Sequence, residues 1–195
     1  MTFPFPAFIY PGVAKTAWNP SDKGANITLS TGDRANSDAA GSGSAWNSVR
    51  TTSSFNSGKR YFEIYIVSTV DGNNMPGLMT SGASLANFPG GTASGAGINP
   101  SQTFVNGFTS TTPATMTLTT GDVAGIAVDF AAGKAWVRKN GTWAGAGDPT
   151  SAAWVSFTAG TTLFAAFASF NGDKGRFIGK SFFYNPPAGF SPWDS

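Results

Sequence analysis

GDVAGIAVDFAAGKAWVRKNGTW, residues 121–143, holds two strand-like runs joined by a short turn and closed by Asn140-Gly141. Ile126, Val128 and Phe130 fall on one face of an extended run, and Val123, Gly125 and Ala127 on the other, so this run is apolar on both sides. Such a strand belongs at the centre of a sheet. Ala131-Ala132-Gly133 reads as a turn, Ala135-Trp136-Val137 climbs back antiparallel, and Asn140-Gly141 supplies the two positive-φ residues that a type I′ turn demands.

Working outward, the chain of 195 residues is long enough to bury a core. Charged residues make up only 11%, and Gly, Ser, Thr, Ala and Asn fill the gaps between aromatic-rich runs, a composition of many short strands and polar loops. Net charge is +2 and the basic residues are scattered in ones and twos, so no stripe tracks a phosphate backbone and no nucleic-acid partner is expected. No apolar run approaches the ~20 residues of a membrane span. Without cysteine or histidine there are no disulfides, the usual zinc and copper sites are excluded, and no cofactor is expected.

Several motifs in order carry a family resemblance. A Gly-Asp opening, a strand closing on Asp129-Phe130, a Gly turn, an aromatic-containing strand and Asn140-Gly141 resemble the corresponding region of SPRY domains. Gly58-Lys59-Arg60-Tyr61-Phe62-Glu63-Ile64 resembles that family's Gly-Lys-x-Tyr-x-Glu-Val strand. Pro76-Gly77-Leu78-Met79, Leu163 to Phe170, and Phe182 to Trp193, FFYNPPAGFSPW, resemble its later strands and its Pro-Pro-x-Gly-Phe tail. One departure is Phe177-Ile178-Gly179, where relatives have Asn-Phe-Gly, so the glycine is kept and the asparagine lost. The resemblance implies an all-β, concanavalin A-like antiparallel β-sandwich of two packed, curved sheets over residues 18–195; residues 1–17, outside it, read from their prolines and aromatics as an extended N-terminal arm. It also implies a binding module whose loops at one edge take peptide or glycan partners.

In chain order, Phe3, Phe5, Phe8, Ile9 and Tyr10 are interleaved with prolines that fix φ and remove donors, which makes an extended segment that either packs back on its own sandwich or serves as an assembly arm docking on another subunit. The arm has neither the basic n-region nor the unbroken apolar core of a signal peptide. Trp18 to Lys23 reads as a turn, Ile27-Thr28-Leu29 as a short strand, Thr31 to Ser44 as loop, and Tyr61 to Val67 as a long strand with Phe62, Ile64 and Ile66 inward. Asn73 and Asn74 end a turn, and Asn87 and Phe88 lie in the long segment Ala83 to Gly95, a candidate binding loop or an ordered crossover. Trp143 and Trp154 flank a second loop carrying Asp148, and aromatic faces beside carboxylate or amide edges suit a sugar, although buried tryptophan is common in sandwiches. Asn171 to Gly175 reads as a hairpin turn.

The chain lacks the residues for a Ser-His-Asp or Cys-His nucleophile, which leaves carboxylates as the acid–base groups. Asp22, Asp33, Asp71, Asp148 and Asp173 have turn-forming neighbours, and Glu63 beside Lys59-Arg60 reads as an ion pair or an anchor for loop amides. No stretch concentrates carboxylates at alternate positions, so no metal-site residue is assigned and the signal for calcium is weak. The expectation is a non-catalytic component of a bacteriophage virion, a capsid decoration or a tail or fibre protein, held to other virion proteins by its arm and attaching to host surface glycan or protein. The alternatives are a glycan-degrading enzyme on the same sandwich and an intracellular peptide-binding SPRY adaptor.

Overall fold

A computed structural model describes residues 16–29, 36–39, 45–112, 114–145 and 147–195, with the backbone alone for 36–39. The aromatic arm, Phe3, Phe5, Phe8, Ile9 and Tyr10 included, lies outside the described residues. The described residues form strands and no helix. One sheet has the order β1 (Trp18–Lys23), β4 (Asn47–Phe55), β14 (Leu163–Ser169), β6 (Met75–Met79), β7 (Gly95–Ile98) and β8 (Thr103–Asn106). The other runs β2 (Ile27–Leu29), β3 (Asn36–Ala39), β15 (Lys174–Ile178), β5 (Lys59–Ser68), β10 (Val123–Asp129), β11 (Lys134–Lys139), β13 (Val155–Ser156) and β9 (Thr109–Ser110). β12 (Thr142–Trp143) pairs with β11, and β16 (Ser191–Pro192) pairs with β5 as the single parallel contact recorded among these strands.

The run that is apolar on both faces takes the central place: β10 lies between β5 and β11 and every one of its residues is buried. Ile126 and Val128 meet Phe62, Ile64 and Ile66 of β5 and Leu78 and Phe167 of the opposite sheet in the main core. Burying side chains of this size contributes roughly 1.5–3 kcal/mol each before ordering costs. Tyr61, Ala127 and Trp136 face the other way and pack with Phe190 under the C-terminal tail. The outer face of the six-stranded sheet is covered by its own long loop. A Cβ on Gly77 would lie 2.7 Å from Pro89 Cβ, and Phe88 packs on Phe104 at 4.6 Å and Trp46 at 5.4 Å between ring centroids.

Asn140 at φ 48° and Gly141 at φ 83° form the expected two-residue turn, with Arg138 opposite Trp143 and Lys139 opposite Thr142. Four local expectations are corrected. Trp18 to Lys23 is a strand, whose irregular register holds an Asn19 to Ser21 Asx turn at Pro20, a residue with no N–H to give. Asn36–Ala39 is a strand inside the expected loop, paired with β2 and β15 through its backbone. Asn171 to Gly175 is no hairpin turn: β14 pairs with β4 and β6, and β15 with β3 and β5, so the connection passes from one sheet to the other. The tail from Phe182 contributes only the two-residue β16, because Pro186 and Pro187 cannot donate and the N–H groups of Phe183 and Tyr184 go to Glu63.

Candidate binding groove beside the β11–β12 turn

A groove of about 550 Å³ runs between the segment Thr115, Met116, Thr117 and the turn region carrying Lys139, Asn140 and Trp143. Two of its lining residues, Lys139 and Asn140, are fixed by a polar network. Lys139 Nζ donates to Thr117 O at 2.7 Å and pairs with Asp122 at 2.8 Å, which ties the two walls together. Asn140 Nδ2 donates to Asp122 Oδ1 at 2.7 Å, while its own Oδ1 accepts the Val123 N–H at 2.8 Å. Thr119 gives Asp122 a backbone and a hydroxyl hydrogen bond. Partial burial pushes the Asp122 carboxyl up, but the bonds from Lys139, Thr119 and Asn140 outweigh it and hold the group at about 2. Asp122 is therefore a fixed acceptor at neutral pH that holds Lys139 and Asn140 in place from outside the groove lining.

Trp143 forms the aromatic wall and is half-buried, with the Arg138 guanidinium 5.1 Å from its ring centroid. Arg138 belongs to a second, buried network. Its Nη2 donates to Tyr61 Oη at 2.7 Å and to the carbonyls of Tyr184 and Asn185 at 3.0 and 2.8 Å. Glu63, wholly buried, accepts from Tyr61 Oη at 2.7 Å, Phe183 N at 2.8 Å and Tyr184 N at 3.1 Å. Burial pushes the Glu63 carboxyl up against the opposing pull of these hydrogen bonds and of Arg138, 4.0 Å away. Burial, and the Glu63 charge beside it, also push the Tyr61 hydroxyl up. Glu63 is thus an anchor for loop amides, as one reading of the sequence had it, but its basic neighbour is Arg138 and not Lys59 or Arg60. Lys59 pairs with Asp129 instead.

The other candidate residues do not converge on the groove. Trp154 is in the core with its Nε1 donating to Thr103 Oγ1 at 2.9 Å, so it forms no lip with Trp143. Asp148 caps its own loop by accepting from Thr150 N at 2.8 Å and Oγ1 at 2.6 Å, and these Thr150 bonds hold its carboxyl down. Asn87 Oδ1 accepts the Phe88 N–H at 2.8 Å, and Phe88 is an anchor of the covering loop. Asn73 closes a turn on Asp71, and Asn74 is buried with its Nδ2 donating to Leu118 O at 3.1 Å. Sequence reading passed over Thr115, Thr117, Lys139 and Asn140 as site residues. The alternating Thr-x-Thr run and a lysine next to a positive-φ asparagine were the available signals.

Two facing antiparallel sheets, with β10 at the centre and the β11–β12 turn at one end, define a SPRY-like fold. Solved structures agree with it. The crystal structure of the SPRY domain of human HERC1 matches with TM-score 0.61 at 19% identity, covering 85% of this chain and 99% of that one. A human SPRY domain matches at 0.57 and 19%, over 78% and 94%. The TRIM65 PSpry domain matches at 0.61 and 16%, over 85% and 90%. No family model matches the chain, and no curated protein does.

Proposed function

We propose that this chain is a non-catalytic binding module that seats its partner in the Trp143 groove and serves as a structural component of a bacteriophage virion, attaching to host surface glycan. The observation that carries the binding reading is the groove itself. One wall is an indole, Thr115 and Thr117 bring hydroxyls to the other, and Lys139 pre-ties them. A sugar ring needs an apolar face to stack on and donors and acceptors at its rim. The groove's lining residues include no carboxylate, which favours binding over a glycosidase pair.

The virion setting rests on composition: low charge, Ser/Thr/Gly/Asn-rich loops and the proline–aromatic arm. Both parts can be tested. Retention on immobilised host polysaccharide should fall at least tenfold for Trp143→Ala with the melting temperature kept, and equal retention of the two proteins would refute the groove. Incubation with the same polysaccharide should release no reducing ends; release that is lost in an Asp-to-Asn variant would favour the enzyme reading. Purified particles should contain the chain by mass spectrometry. Deletion of residues 1–11 should prevent its incorporation without unfolding the domain.

A further inference from the structure

The C-terminal tail reaches the Trp143 wall from behind the groove lining at three points. At the first, Tyr184 is held by its backbone, its N–H donating to Glu63 Oε1 at 3.1 Å and its carbonyl accepting from Arg138 Nη2 at 3.0 Å. Its ring lies on the hairpin turn, since a Cβ on Gly141 would sit 2.8 Å from Tyr184 Cδ1 and 3.1 Å from Cε1. Arg138 is the second point. It lies opposite Trp143 across β11 and β12, is 7% exposed, and has its guanidinium 5.1 Å from the Trp143 ring centroid and 5.9 Å from that of Tyr184. Two of the acceptors that hold it there are tail carbonyls, those of Tyr184 and Asn185. At the third, Trp143 packs against the cluster that contains Tyr61, Trp136 and the tail residue Phe190. A buried guanidinium that lost the two carbonyls would be short of acceptors and would leave the underside of the indole. The tail therefore fixes the indole as much as its own short strand does.

We propose that Arg138 and Tyr184 are positioning residues of the Trp143 wall, so that a saccharide stacked on the indole and the tail seated on Glu63 stabilise one another. The chemistry of the ligand rests on the glycan reading; the positioning of the wall does not. Neither residue lines the groove, and both act through Trp143 and the turn before it. Coupling of this kind is reciprocal: a ligand that favours the ordered indole tightens the tail by the same factor with which the tail tightens the ligand. By setting the wall before a ligand arrives, the tail also removes ordering cost from binding.

Hydrogen exchange of the full chain reads the wall without any ligand. Tyr184→Ala removes the ring and keeps the backbone bonds to Glu63 and Arg138. The Asn140 and Ala144 amides, which donate to Val123 O and Val137 O at 2.9 Å, should then exchange roughly tenfold faster, with the amides of β14 unchanged. Tyr184→Phe keeps the ring and should match the parent. Arg138→Lys keeps the charge and loses the fork, so it should speed the Ala144 amide as well, and it carries the test if Tyr184→Ala does not fold. Equal protection of these amides in the parent and the alanine variant overturns the proposal. So does an acceleration shared by β14, which marks a general loss of stability. On immobilised host polysaccharide, Tyr184→Ala should lose about fivefold in retention and Tyr184→Phe none. Full retention by Tyr184→Ala where Trp143→Ala has lost it also overturns the proposal. If Trp143→Ala is itself retained, the glycan reading falls and the exchange rates alone decide the positioning.

Discussion

Replacing Glu63 by glutamine changes one atom and probes how the outer face of the ten-stranded sheet is closed. Glu63 accepts three hydrogen bonds on two oxygens, from Tyr61, Phe183 and Tyr184. Glutamine has one acceptor oxygen. Whichever way the amide is set, its NH₂ group faces either the Phe183 N–H or the Tyr184 N–H. An unsatisfied buried donor costs about 1–3 kcal/mol. One effect offsets this, since burial disfavours the carboxylate and a neutral amide relieves that penalty; another adds to it, since Arg138 loses its carboxylate 4.0 Å away. The expected net loss is about 1–3 kcal/mol, or about 2–4 °C of melting temperature per kcal/mol for a chain of this size. Glu63→Ala removes every acceptor and strands Arg138, and should cost about 3–5 kcal/mol. Urea unfolding followed by tryptophan fluorescence measures both, and limited proteolysis between residues 179 and 190 reports whether the tail has lifted. A glutamine variant within about 0.5 kcal/mol of the parent, with an equally resistant tail, would refute the anchor. pH adds a sign. The folded-state pKa of Glu63 is raised above its ordinary 4.5, so its contribution is full below 4.5 and is lost as pH rises through the folded value. Glu63→Gln should remove that portion of the pH dependence.

The Asp122 network behind the groove gives the opposite pH behaviour. Asp122 is held at about 2 against an ordinary 3.8, so its contribution is present above 3.8 and lost as pH falls toward 2, and Asp122→Asn should flatten the acid limb of the melting curve. Gly141→Ala should destabilise by about 1–2 kcal/mol from the positive φ alone. A Cβ there would also lie 2.8 Å from the Tyr184 ring, so Gly141→Val should lose more than the alanine variant. Trp154→Phe removes the Thr103 hydrogen bond and part of a buried ring, and should cost about 1–3 kcal/mol in urea unfolding while leaving polysaccharide retention unchanged.

What was legible in the sequence is what short segments fix for themselves. The two-faced apolar pattern of Val123 to Phe130 made β10 central, the period-2 alternation of β5 sent Phe62, Ile64 and Ile66 inward, and Asn140-Gly141 needed no distant partner to form its turn. Elements whose stability comes from elsewhere were not legible. Asn36–Ala39 has no apolar signature and is a strand because β2 and β15 accept and donate to its backbone. The turn at Asn171 to Gly175 has hairpin chemistry, but its flanking strands are claimed by different sheets. Trp143 and Trp154 look alike from the sequence, flanking one loop. Only the packing buries one against Thr103 and leaves the other to wall a groove. The same holds for charge. That Glu63 answers to Arg138, and Asp173 to Asp71, depends on which strands and loops are brought side by side, and electrostatic range is a distance in space that sequence separation does not encode.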